Sequence, residues 1–107
     1  MPAKKQTIKR LVEISNKHEA KSTWIFGSYL ISSNYNDIDI AIFVDEKSNK
    51  SALLNDLRSL ENAKVESGFY LKSNLNHRYH VVVGSTSEFS DGLQKSIYSG
   101  NRVWSRN

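Results

Sequence analysis

Apolar positions along this chain recur every three to four residues in some stretches and every two in others, and the switches between these periods lay out the elements. Residues 4–20 place Ile8, Leu11, Val12 and Ser15 at helical spacing with the lysines elsewhere, the pattern of an amphipathic helix packed on a sheet. Thr23 to Phe26 is β-branched and aromatic and reads as a strand. The strongest β run is Asp37 to Val44. Ile38, Ile40, Ile42 and Val44 fall on one face while Ala41 and Phe43 continue the other, so this strand belongs in the middle of a sheet. After a polar loop from Asp45 to Lys50, Leu53, Leu54, Leu57 and Leu60 make the apolar face of a second helix, with Ser51 or a neighbour as its cap.

Residues 64–84 read as a β-hairpin, with Val65–Leu71 and Tyr79–Val83 as its arms and Ser73-Asn74-Leu75-Asn76-His77 as the turn region. Ser85 and Glu88 have the spacing of a capping box, and Phe89, Leu93 and Ile97 recur every four residues on the helix that follows, which Gly100 ends. Arg102-Val103-Trp104 is a last short β run, expected to close an edge of the sheet. The order of elements predicts an α/β (α+β) fold, a mixed sheet with helices packed on it. With no repeat, low-complexity stretch or linker, residues 1–107 are expected to form one domain.

Composition narrows the chemistry. The chain of 107 residues has no cysteine, which excludes disulfides and cysteine-ligated zinc. No apolar run approaches the roughly 18 residues of a membrane span and the start lacks a signal-peptide pattern, so a cytoplasmic protein without membrane contact is expected. The net charge of +4 comes largely from lysines and arginines near the two ends. So modest an excess, with few cations on the strands, fits a solvated basic helix better than a nucleic-acid surface, and a nucleic-acid partner is not expected.

The candidate chemistry sits at the start of the central β run. Asp37 and Asp39 are two residues apart on a strand and must point to the same side, an outline of a metal site. Just upstream, Gly27 permits backbone angles and close approaches that a side chain forbids, and Ser28 adds a hydroxyl and an N–H suited to phosphate. A short helix from Tyr29 to about Ser33 would aim its free N–H groups at the same anion, with Asn34, Asn36 and Asp37 stopping it.

Phe26-Gly27-Ser28 followed by Asp37-Ile38-Asp39-Ile40 resembles the motif of the nucleotidyltransferase (DNA polymerase β) superfamily, and in size the chain is similar to its minimal members, small bacterial proteins often encoded beside a HEPN-domain partner. The resemblance extends over residues 5–104 in element order, with its specific content in residues 24–44. It implies that Asp37 and Asp39 hold Mg2+, that Gly27 and Ser28 contact the β- and γ-phosphates of a nucleoside triphosphate, most plausibly ATP, and that AMP passes to a hydroxyl. A HEPN-type toxin would be the natural protein partner and acceptor, with this chain as antitoxin.

Two departures stand out. The family places a third carboxylate on a later strand; here the fitting run, Tyr79-His80-Val81-Val82-Val83, has His80 in that position. Neutral imidazole is a poor magnesium ligand, although His80 can serve as general base toward the acceptor hydroxyl. Glu66 can supply the missing acid if the strand register allows. Many relatives also carry an Arg and a second Gly between the two motif halves, which residues 29–36 lack, so a cation such as Lys72 or Arg78 would have to compensate. His77 and His80, an odd number of residues apart on a strand, face opposite ways and do not make a metal pair. Of the aromatic residues, Tyr29 and Tyr35 flank the proposed pocket. The alternative to an active transferase is a catalytically degenerate protein of the same fold that binds and masks a partner.

Overall fold

The computed structural model describes residues 5–27, 38–60, 63–67 and 79–106. Helix α1 is Lys5–Lys17, followed by strand β1 (Ser22–Phe26), β2 (Ile38–Phe43), α2 (Ser51–Arg58), β3 (Ala63–Ser67), β4 (Tyr79–Gly84), α3 (Asp91–Tyr98) and β5 (Asn101–Ser105). A one-turn 3-10 helix, Thr86–Glu88, precedes α3. The strands form one five-stranded sheet in the order β3-β4-β2-β1-β5. Strand β1 is antiparallel to both its neighbours, whereas β2, β4 and β3 run parallel. The sheet is mixed, as its sequence pattern predicts, and it changes sense between β1 and β2.

All six residues of β2 are buried. Ile38, Ile40 and Ile42 join Leu11, Ile14, Leu53 and Leu57 in a core beneath α1 and α2, while Ala41 and Phe43 join Phe26, Val82, Phe89 and Ile97 in a second core beneath α3. A slip of one residue in register would drive Asp39 into the isoleucine layer. The pattern that buries the isoleucines therefore also fixes the face that the Asp39 carboxylate takes.

Helix α1 buries Leu11, Ile14 and Ser15, with Ile8 packed alongside. The Ser15 hydroxyl donates to the Leu11 carbonyl at 2.7 Å, which leaves its oxygen to accept from the Thr23 hydroxyl of β1, also at 2.7 Å. At the start of α2 the side-chain cap comes from Asn49, whose Oδ1 accepts the Ser51 N–H at 3.0 Å. The capping box of Ser85 and Glu88 is present, but it closes the 3-10 turn; α3 itself begins at Asp91, capped by Ser90, whose hydroxyl accepts the Leu93 N–H at 3.1 Å. Strand β5 is the edge beside β1. A register shift between Thr23 and Trp24 pairs them with Trp104 and Arg102, and both Val103 and Trp104 pack on the α1 side.

The expected hairpin over 64–84 does not form. Strand β3 lies parallel to β4, with Val65 opposite Val81 and Glu66 opposite Val82. A tight turn can join only antiparallel strands, because parallel neighbours require the chain to return to the starting end of the sheet. Leu71 and the turn residues Ser73–His77 lie outside the described residues, as do Tyr29–Ser33, Asn34 and Asn36.

Candidate active site

Strand β1 descends into Gly27 as β2 rises from Ile38, so the end of one and the start of the other form a corner in which Phe26 is the sheet partner of Asp39. Gly27 has φ +97°, a left-handed conformation that residues with a side chain adopt at a cost. A Cβ built on it would press on the Asp39 carboxylate, 3.1 Å from Cγ and 3.3 Å from Cβ. The hydrogen of Gly27 thus makes the space that the Asp39 carboxylate fills. Asp39 is 3% exposed.

On the other side of Asp39, its partner in β4 is His80, also 3% exposed. Paired residues of adjacent strands share a face, so Phe26, Asp39, His80 and Lys64, the partner of His80 in β3, make one row across the sheet on the α3 side. Glu66 lies two residues beyond Lys64 on that face. Its Oε2 meets His80 Nε2 at 2.9 Å and its Oε1 lies 3.5 Å from Lys64 Nζ. The result is a polar row in which carboxylate, imidazole, carboxylate and ammonium alternate.

His80 thus stands beside Asp39 as its sheet partner. Glu66 reaches the same face but engages the imidazole, two strands away from Asp39. Ser28 and Asp37, together with Lys72, Arg78, His77, Tyr29 and Tyr35, lie outside the described residues. The Glu66–His80 bond follows from the parallel pairing of β3 with β4, which a hairpin reading of the same residues conceals. Gly100, expected only to end a helix, has a second role. Its Cα lies so close to Phe26 that a Cβ would come within 2.8 Å of the Phe26 Cβ, and this lets the end of α3 seat on the corner.

A left-handed glycine at the end of β1 is thus packed on a buried aspartate at the entry to the central strand of a mixed sheet. A family model described as polymerase beta, nucleotidyltransferase, matches residues 9–107, and the chain belongs to that family. Comparison with curated proteins and with solved structures gives no match. Membership makes nucleotidyl transfer the general function and a nucleotide the substrate. The family generally uses divalent metals. Among the described residues no three metal-ligating side chains come together, so a metal held by Asp39 would need a further ligand from outside them. No helix among the described residues is long and apolar enough to cross a membrane.

Proposed function

We propose that this protein transfers a nucleoside monophosphate, AMP from ATP, to a hydroxyl on a protein or small molecule, using a divalent cation held by Asp37 and Asp39. The observation that carries this reading is the Gly27–Asp39 corner, where a left-handed glycine makes room for a buried carboxylate at the head of the central strand. The donor chemistry fits: hard carboxylate oxygens suit a divalent ion, and magnesium is the family expectation. When bound, the cation neutralises the triphosphate and stabilises the attacking and leaving oxygens of an in-line displacement. Gly27 and Ser28 hold the phosphates. Asp37 and Asp39 orient the ion, and His80 occupies the third position of the site.

Calorimetry of ATP binding in the presence of Mg2+, on the wild type and on Asp39→Ala, with pyrophosphate release followed in the same samples, tests this reading. Expected are binding that disappears in the variant and pyrophosphate release once an acceptor is supplied. Wild-type protein that binds no nucleotide refutes it.

One observation favours a second reading. The sheet partner of Asp39 is an imidazole rather than an acid, and a site lacking the third carboxylate suits a protein that binds nucleotide and masks a partner, as an antitoxin would, without transfer. Binding of ATP with no pyrophosphate release under any acceptor supports that reading over the first.

A further inference from the structure

We infer that Tyr98, Arg102 and Lys95 form a docking surface for an acidic segment of a partner protein, on the α3 side of the β5 edge; this stands apart from the transfer reading above. Among the described residues Tyr98 is the large apolar side chain left exposed, at 50%. Its ring is nevertheless held. One face lies on Phe43, with centroids 5.6 Å apart and planes 7° from parallel, and Trp24 meets it edge to face at 5.2 Å. Phe43 is buried and Trp24 half-buried, so the exposed ring is the outermost layer of the core beneath α3. A side chain held in this way has little rotamer freedom left to lose when something binds its open side.

The cations beside this ring are uncommitted. Arg102 is the β5 partner of Trp24 and so shares its face of the sheet, and Lys95 lies one helical turn before Tyr98 on α3. Both are exposed. The ion pairs among the described residues engage Arg10, Lys17, Lys50, Lys64 and Arg106; neither Arg102 nor Lys95, despite Asp91 four residues before it, is among them. Tyr, Trp and Arg are the residue types that carry most of the binding energy at protein interfaces, and cations around an apolar anchor select partners by charge. A second copy of this chain, at net charge +4, brings like charge to the patch. A nucleic acid calls for a track of cations along its backbone, which Lys95 and Arg102 alone do not make. An acidic protein segment with one apolar side chain for the open face of Tyr98 satisfies both the ring and the charges.

The test titrates the full chain, labelled with nitrogen-15, with a short peptide of Glu and Asp residues around a single Phe, and follows the backbone and indole N–H resonances. Expected are shifts gathered at Trp24, Lys95, Tyr98 and Arg102. Tyr98→Ser and Arg102→Glu, each with unchanged circular dichroism, should weaken the peptide about tenfold, as loss of an interface anchor does. Arg102→Glu should at the same time gain affinity for the counterpart peptide with Lys in place of the acids, a reversal that a loss of folding would not produce. A wild type that does not bind the acidic peptide, shifts gathered elsewhere, or binding indifferent to Arg102→Glu overturns the inference. So does oligothymidylate bound at the same residues more tightly than the peptide, which would make the patch a nucleic-acid surface, or self-association abolished by Tyr98→Ser, which would make it a contact between copies. None of these outcomes bears on ATP binding at the Gly27–Asp39 corner.

Discussion

Gly27→Ala puts the corner itself under test. Holding a side-chain-bearing residue at φ +97° costs about 1–3 kcal/mol. The new Cβ also meets the Asp39 carboxylate, 3.1 Å from Cγ, and Asp39 is walled in by β1 and β4. Its side chain can yield only by leaving its rotamer, at about 0.5–1.5 kcal/mol. Together the two terms give roughly 2–4 kcal/mol, which at about 4–8 °C per kcal/mol for a domain of this size lowers Tm by roughly 10–30 °C. Thermal and urea unfolding of wild type, Gly27→Ala, Asp39→Ala and the double variant measure it. In the Asp39→Ala background the carboxylate is gone, so the cost of Gly27→Ala falls to its backbone part and the cycle shows a coupling of about 0.5–1.5 kcal/mol. An unchanged Tm in Gly27→Ala, or an identical cost in both backgrounds, refutes the account of the corner.

Other outcomes follow from the same structure. Gly92 lies in α3 with open space where a Cβ would go; Gly92→Ala is expected to stabilise by about 0.5–1 kcal/mol, and a lower urea midpoint would contradict this. Ser15→Ala strands the buried Thr23 hydroxyl and should cost about 1–3 kcal/mol, whereas Ser15→Ala with Thr23→Val should recover much of that loss; a double variant as unstable as the sum of its parts counts against the hydroxyl pair. Asp45 is held below its ordinary pKa by the Arg106 guanidinium, Asp56 by His18 and then Lys17, and Glu88 by the Ser85 backbone N–H and then Lys50. A lowered folded pKa gives stability that is present above the ordinary carboxylate range, about pH 4, and lost as pH falls through the folded value. Tm measured from pH 7 downward should hold and then decline in acid, and the gap between wild type and Arg106→Ala should close there; a gap that widens in acid would be inconsistent with the Asp45 pairing.

What the sequence revealed and what it hid have different physical origins. The central position of β2 was legible because burial on two faces leaves a continuous apolar run, and the same alternation told which side Asp39 takes. The helix faces were legible from spacing, although Ile14, buried between Leu11 and Ser15 on α1, escaped a pattern built on its neighbours. Strand pairing is another matter. Turn-forming residues at 73–77 suggest a local reversal, but the direction of β3 relative to β4 is decided by the sheet as a whole. The apolar run Tyr79–Val83, unbroken except by His80, already carried the signature of a strand buried on both faces with parallel neighbours. Register hid one contact in the same way: that Glu66 would meet His80 depends on the parallel pairing of β3 with β4, whereas the neighbourhood of His80 and Asp39 was already expected.

Strand β5 has a consequence for how the molecule is made. Ser22 pairs with Ser105, roughly eighty residues later, across the β1–β5 ladder, and contacts of such separation form slowly because a long loop must close first. Until β5 emerges and docks, β1 is the border of any sheet built with β2, and Thr23-Trp24-Ile25-Phe26 presents a β-branched and aromatic row with unpaired backbone groups. That row leads straight into Gly27. During synthesis the Gly27 corner is thus flanked by the stretch most prone to stick to other chains, and the yield of folded protein hangs on the arrival of β5.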